Sequence, residues 1–131
     1  MFHDSIYNNI VLGKKDISPD DFIKVCEMTG VSEFVNNYPE GYDYVLSDNG
    51  KNLSGGQRRK IALARALLCN TEMFIFDEST NNLDEDSERR FLEIIERYLI
   101  GKTIIFISHN NVFDKYVNKI YRLERGELLP C

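Results

Sequence analysis

The pentapeptide Leu53-Ser54-Gly55-Gly56-Gln57 opens an Ala/Leu-rich run of helical character. Two glycines after Ser54 leave backbone N–H groups free of side-chain cover at a helix N-terminus, where the amides and the helix dipole together favour an anion such as phosphate. The Ser54 hydroxyl suits both capping of the helix and donation to a ligand. Ser-Gly-Gly alone fits a Ser-capped helix after a glycine turn better than it fits a binding site. An acidic pair further along the chain changes that balance. Twenty residues after Gln57 the apolar stretch Met73-Phe74-Ile75-Phe76 runs into Asp77-Glu78. Four apolar residues in a row, rich in aromatic and β-branched types, predict a short strand buried on both faces of a parallel sheet, with the acidic pair at its C-terminal edge, where open α/β sheets place ligands. Asp77 is suited to hold Mg²⁺, an ion that takes only one or two protein carboxylates and keeps most of its waters. Glu78, pointing elsewhere, is placed to accept a proton from an attacking water. An isolated Asp-Glu pair is also a common solvated strand cap; its distance from the Ser-Gly-Gly turn argues for chemistry.

A second apolar strand, Thr103-Ile104-Ile105-Phe106-Ile107, ends in Ser108-His109. His109 is expected at the same sheet edge as Asp77 and Glu78, where its imidazole could donate to a phosphate oxygen. A lone histidine after a strand more commonly closes a turn. The other histidine is His3, so no metal-ligand cluster competes for His109.

These segments resemble, closely and over essentially the whole chain, the ATP-binding-cassette (ABC) ATPases. Leu53 to Gln57 is similar to the family's signature motif, with Gln57 to Leu68 (QRRKIALARALL) continuing its pattern, and Met73 to Glu78 is similar to the Walker B strand. His109 falls at the position of the switch histidine. Ser79-Thr80-Asn81-Asn82-Leu83-Asp84 resembles the loop that crosses to a partner cassette, with Asn81 and Asn82 where a Ser-Ala pair is common. The resemblance implies that ATP is contacted by Ser54, Gly55, Gly56, Gln57 and Asp84, that Asp77 holds Mg²⁺, and that Glu78 and His109 are catalytic. It also implies a second nucleotide-binding domain as a head-to-tail partner, with the signature of one cassette facing the phosphate loop and Walker B of the other.

The first fifty residues narrow the resemblance to exporters. Met1 to Ile10 is similar to the segment after the family's glutamine loop, and Gly41-Tyr42-Asp43 with Leu46-Ser47-Asp48-Asn49-Gly50 is similar to the exporter loop that touches the intracellular helices of the transmembrane domains. Asp48 stands where many exporters have Glu, and Tyr44-Val45 replaces a more usual Thr-Glu, a version that leans toward peptide and bacteriocin exporters. No Gly-x-x-x-x-Gly-Lys-Ser/Thr occurs in these 131 residues, so they hold no amide cradle and lysine for the β- and γ-phosphates. The expectation is the C-terminal portion of a P-loop cassette with its Walker A half absent: a fragment, a truncated reading frame or an engineered piece.

Composition fits a cassette at the cytoplasmic face of a membrane. One domain of ordinary size is expected, with 43% hydrophobic residues to build its core, and no apolar run approaches the roughly 20 residues of a membrane span. Met1 to Asp4 is not the basic start of a secretory signal. Three cysteines, Cys26, Cys69 and Cys131, without Cys-x-x-Cys spacing, predict free thiols. Sixteen basic against twenty-one acidic residues, a net charge of −5, argue against a nucleic-acid partner. The basic triplet Arg58-Arg59-Lys60 reads as a solvated helix face.

The positioning elements are α/β in class. Ser18-Pro19-Asp20-Asp21 predicts a capped helix start, with Phe22, Val25, Cys26 and Met28 facing inward and Gly30 as its end. Ser32 begins a shorter helix stopped by Pro39. A third helix runs from Ser54 to about Leu68, its apolar stripe Ile61, Ala64, Leu67 and Leu68. Residues 1–70 thus form a mostly helical subdomain bearing the signature, and residues 71–131 an α/β core portion bearing Walker B, the crossing loop and the histidine. In that portion, strands near 73–77, 103–107 and 118–124 alternate with a helix near 85–99 as right-handed βαβ units. That helix buries Phe91, Ile95, Tyr98 and Leu99 and carries i,i+4 pairs Glu85–Arg89, Asp86–Arg90 and Glu93–Arg97 outside. Arg125-Gly126 predicts the turn of a terminal hairpin.

The function expected is ATP binding and hydrolysis as a domain of an ABC exporter. Two alternatives stand: a non-catalytic fragment that binds a partner cassette or transmembrane domain, and the head of a chromosome-maintenance or DNA-repair ATPase. The second sits poorly with Gly41-Tyr42-Asp43, and such heads usually carry a long coiled coil between their halves.

Overall fold

A computed structural model describes every residue except Lys15, Asn81, Asn82 and Asn110; the Asn81-Asn82 departure therefore lies outside the described residues. The chain begins with a short helix, α1 (Ile6–Val11), capped by the Ser5 hydroxyl, which accepts from the Asn8 amide at 3.0 Å. Helix α2 (Pro19–Thr29) starts as its sequence predicts: Ser18 caps, Pro19 occupies the first turn, and Gly30 ends the helix in the left-handed conformation at φ 75°. The next element departs from expectation. Gly30 turns the chain straight back into α3 (Val31–Val35), so Ser32 lies inside a helix, not at its cap, and the helix stops before Pro39. Val31, Phe34 and Val35 are buried there, and the Ser32 hydroxyl is taken up by the Tyr42 hydroxyl at 2.9 Å.

Helix α4 (Gly55–Leu68) is the structural spine. Ile61 and Ala64 enter a first core with Ile6, Ile10, Phe22, Cys26 and Leu46. Leu63, Ala66 and Leu67, on another side of the same helix, pack against a second core built on Phe74, Phe76, Phe91 and Phe113. Buried Asn9 ties α1 to α4. Its side-chain NH₂ donates to the carbonyls of Phe2, Asp4 and Ser5, while Arg65 Nε donates to its backbone carbonyl at 2.7 Å. A buried amide is costly unless satisfied in this way. Burial also pushes the Cys26 thiol up to about 11; all three cysteines are free, Cys69 half-buried and Cys131 exposed.

Strands β1 (Met73–Asp77) and β2 (Thr103–Ile107) pair in parallel, Ile75 opposite Ile105, with α5 (Glu85–Tyr98) in the connection between them. Their bounds are those predicted, but β1 is not buried on both faces. Phe74 and Phe76 are buried, whereas Met73 and Ile75 remain 52% and 62% exposed. The aromatic side chains face the α4–α5 layer, and no described element covers the alternate side chains. The third parallel strand is also not found among the described residues. The predicted 118–124 segment contributes β3 (Tyr121–Glu124), which pairs antiparallel with β4 (Glu127–Pro130) in a separate hairpin. Its turn is the one the sequence predicts, since Arg125 and Gly126 both take positive φ, 51° and 87°, the requirement of a two-residue loop whose twist matches the strands.

On α5, Phe91, Ile95 and Leu99 are buried as expected, but Ile94 is buried in addition and Tyr98 is exposed. Two of the predicted i,i+4 pairs are replaced. Arg89 pairs with Asp86, one turn back, and Arg90 reaches across to Glu33 of α3. The basic triplet is not a simple solvated face either. Arg58 Nη1 donates to the Leu53 carbonyl at 2.7 Å, bracing the turn that leads into α4, and Lys60 Nζ lies 2.9 Å from Glu33.

Candidate functional site

Ser54 caps α4 in a reciprocal capping box: its hydroxyl accepts from the Gln57 amide at 3.1 Å, and Gln57 Oε1 accepts from the Ser54 amide at 2.8 Å. The Gln57 side chain is thereby committed to the helix start, while the Ser54 hydroxyl, an acceptor in this bond, keeps its own hydrogen for donation. Of the eight glycines in the chain, Gly55 and Gly56 are the two without positive φ. A Cβ on Gly55 would meet nothing nearer than Arg58 Nη2 at 3.9 Å, and one on Gly56 nothing nearer than Ser54 Oγ at 3.9 Å. Neither glycine is required by backbone conformation or by internal crowding.

At the end of β1, Asp77 is exposed, and no hydrogen bond or ion pair holds its carboxylate among the described residues. Glu78 turns the chain with a left-handed φ of 48°, anchored by its amide donating to the Ile107 carbonyl at 2.9 Å. A non-glycine residue held there costs on the order of 1–3 kcal/mol, and such positions cluster at functional sites. Its Oε1 lies 3.2 Å from His109 Nε2; the imidazole is 94% exposed and the Glu78 side chain 28%. The sheet edge thus unites Asp77, Glu78 and His109 as predicted from the strand ends. Beyond Glu78, the Ser79 and Thr80 hydroxyls are buried without a hydrogen-bond partner among the described residues. Asp84 caps α5, accepting from the Ser87 amide at 2.8 Å and the Ser87 hydroxyl at 3.0 Å. Those two bonds, the amide foremost, hold its carboxyl below the usual carboxylate range.

A cavity of about 390 Å³ between α4, β1 and α5 gathers part of this set: Gly56, Asp77, Glu78 and Asp84 all line it. Ser54, Gly55, Gln57 and His109 lie outside its lining. Arg59, Lys60 and Arg90 line it as well, together with apolar residues that include Leu63, Phe76 and Phe91. The sequence does not single out these three cations as site residues. Their one signal is the basic triplet at 58–60, and it does not reveal that a residue thirty positions on lines the same cavity. Among the described residues no group of three or more His, Cys, Asp or Glu could hold a metal ion as a closed cluster. A hard ion taking one or two carboxylates and water fits Asp77 better.

The family model described as "ABC transporter" matches residues 5–81. The chain belongs to the ABC transporter family. Ser54 to Glu78 lie inside the matched span, Asp84 and His109 beyond it. Among curated relatives, the ATP-dependent lipid A-core flippase of Syntrophus aciditrophicus (strain SB) is 36% identical over 129 residues, covering 98% of this chain and 22% of the flippase. The heterocyst differentiation ATP-binding protein HepA of Nostoc sp. (strain PCC 7120 / SAG 25.82 / UTEX 2576) is 39% identical over 129 residues, 98% of this chain and 21% of HepA. The leukotoxin translocation ATP-binding protein LktB of Pasteurella haemolytica-like sp. (strain 5943B) is 36% identical over 125 residues, 95% and 18% of the respective chains. The solved structure of a bacterial Atm1-family ABC exporter with ATP bound superposes at a TM-score of 0.88 with 30% identity, over 98% of this chain and 22% of that one. The chain therefore spans about a fifth of the length of the ABC proteins it matches, and its α/β fold is that of part of an exporter cassette.

Proposed function

We propose that these 131 residues serve ATP binding and hydrolysis in an ABC exporter, with Ser54, Gly55, Gly56 and Gln57 forming an anion-facing helix start. In this reading Asp77 holds Mg²⁺, Glu78 is the general base and His109 and Asp84 complete the nucleotide contacts. The carrying observation is the pair Gly55-Gly56. Glycine in a helix costs roughly 1 kcal/mol each relative to alanine, and here neither a turn nor a close internal neighbour requires it. Bare amides at a helix N-terminus are what an approaching phosphate needs. Mg²⁺, when bound, neutralises charge developing on transferred phosphoryl oxygens; Asp77 supplies the ligand, and Glu78 beside it orients water. In this reading residues 1–70 present the signature and residues 71–131 the acidic edge. The partners in this reading are a second cassette, head to tail, and exporter transmembrane domains, at the cytoplasmic face of the membrane. No helix of the described residues is long and apolar enough to cross a bilayer. The Val45-Leu46-Ser47 version of the exporter loop supports a peptide or bacteriocin substrate class.

Two substitutions at one position test this. Gly55→Ala leaves the fold intact and raises stability by about 0.4–1 kcal/mol, because alanine narrows the unfolded ensemble at a compatible φ. Gly55→Asp is also tolerated by the fold, since a carboxylate suits the first turn of a helix. In an ATP-hydrolysing cassette that includes these residues, however, it repels the γ-phosphate, and turnover collapses while nucleotide affinity stays nearly constant. Denaturation, equilibrium binding and phosphate release are measured together. Parallel loss of affinity and stability in Gly55→Asp would assign the glycines to folding instead.

The 131-residue chain by itself has a different expected outcome. A phosphate-binding loop contributes several charge-assisted contacts worth roughly 1.5–3 kcal/mol each, and no such motif occurs here. The chain alone should bind Mg²⁺-ATP no tighter than about millimolar, near 4 kcal/mol, and release no phosphate. Micromolar binding by calorimetry would sink that expectation.

A further inference from the structure

We infer that Glu33 is a positioning residue that sets the spacing between the N-terminal ends of α4 and α5; its functional meaning rests on the ATPase reading above. Lys60 lies six residues after the Ser54 cap of α4, and Arg90 six residues after the Asp84 cap of α5. Both converge on one carboxylate: Lys60 Nζ is 2.9 Å from Glu33 Oε2, and Arg90 Nη2 is 2.6 Å from Glu33 Oε1. Glu33 belongs to α3, so a third helix ties together the two helices whose caps carry candidate nucleotide contacts. The Glu33 carboxyl sits below the usual range, the hydrogen bond from Lys60 being the largest cause.

The surrounding backbone is shaped for this convergence. A Cβ on Gly30 would fall 2.5 Å from Arg90 Nη1, 2.9 Å from Lys60 Nζ and 3.0 Å from Glu33 Oε2, so the glycine leaves the space in which the three charges meet. Lys60 and Arg90 also line the cavity that holds Gly56, Asp77, Glu78 and Asp84, which makes its width depend on where they are held.

An exposed ion pair by itself contributes little to stability. Geometry gives this one its effect: one carboxylate separates two cations from different helices, and without it those cations face each other across the seam. The energy involved need not be large to matter, because displacing reacting groups by about 1 Å costs on the order of 10²-fold in rate.

The test places nitroxides at Ala62 on α4 and Glu93 on α5, with Cys69 and Cys131 replaced by serine, and reads their separation by pulsed electron resonance without nucleotide. Glu33→Gln should shift the distribution to longer distance and broaden it, with far-UV circular dichroism unchanged. Lys60→Gln and Arg90→Gln each cut one arm and should loosen the spacing too, so the inference stays testable if Glu33→Gln fails to fold. Unchanged distances in folded single variants overturn the inference. In an ATP-hydrolysing cassette containing these residues, Glu33→Gln should lower kcat by roughly tenfold to a hundredfold with KM little altered. A distance shift with unchanged kcat would confine Glu33 to structure. A cassette inactive even with Glu33 intact would instead count against the ATPase reading, leaving the distance result to stand separately.

Discussion

Glu78→Gln, in an ATP-hydrolysing cassette that includes this chain, should slow hydrolysis by on the order of 10²-fold or more while leaving Mg²⁺-ATP binding in place. The substitution keeps the shape of the side chain and the amide bond to Ile107, so the left-handed turn at φ 48° is retained. What it removes is a partly buried carboxylate at the sheet edge that can take up a proton. The neighbouring His109 loses a charged partner at 3.2 Å but remains exposed and able to turn to another acceptor. Because ATP still binds and is no longer consumed, the nucleotide-bound dimer should accumulate and be visible by gel filtration. Asp77→Asn, at the other carboxylate, should weaken the Mg²⁺ dependence of binding itself. Normal turnover in Glu78→Gln would remove Glu78 from the chemistry and leave its strained backbone without a functional account.

The largest expected effect on stability is at Ile61. Its side chain is fully buried at the centre of the first core, and truncation to alanine removes three carbons from a site walled by helices on several sides. Such deletions cost about 2–5 kcal/mol, against a total stability of roughly 5–15 kcal/mol for a domain of this kind. Alanine is the better helix former, but only by a few tenths of a kcal/mol, so cavity formation decides the sign. Urea denaturation should show a lower midpoint at constant slope. A change under about 1 kcal/mol would mean that the core collapses around the gap and that α4 is less firmly seated than its burial indicates.

The elements legible in the sequence are those with chemical punctuation at both ends. Pro19 and Gly30 bracket α2, the Ser54–Gln57 box opens α4, and Met73–Asp77 and Thr103–Ile107 are continuous apolar runs of strand length. The meeting of Asp77, Glu78 and His109 can be read from strand ends alone, since adjacent parallel strands bring their C-terminal edges together. What cannot be read depends on partners distant in sequence. The alternating exposure of β1 is set by which layers cover it, and a run of four apolar residues looks the same whether one face or two are covered. Arg90 has a suitable acid four residues back in Asp86, and only the three-dimensional approach of α3 shows that Glu33 takes it instead. Strand β3 is expected in the parallel sheet because its composition says nothing about its neighbour; the Arg125-Gly126 turn, which does predict the hairpin, is the stronger local constraint. Helix α1 is not legible because six residues with two asparagines have little helical preference of their own; burial of Ile6 and Ile10 and the Asn9 network hold it.

The two sides of α4 give the chain a mechanical property that neither core has separately. Ile61 and Ala64 are gripped by one cluster, Leu63, Ala66 and Leu67 by the other, and close-packed interiors resist small displacements. A rod held on two flanks transmits force along its length and has little freedom to bend. A load applied at the exposed Ser54 end therefore reaches both halves of the molecule through one helix.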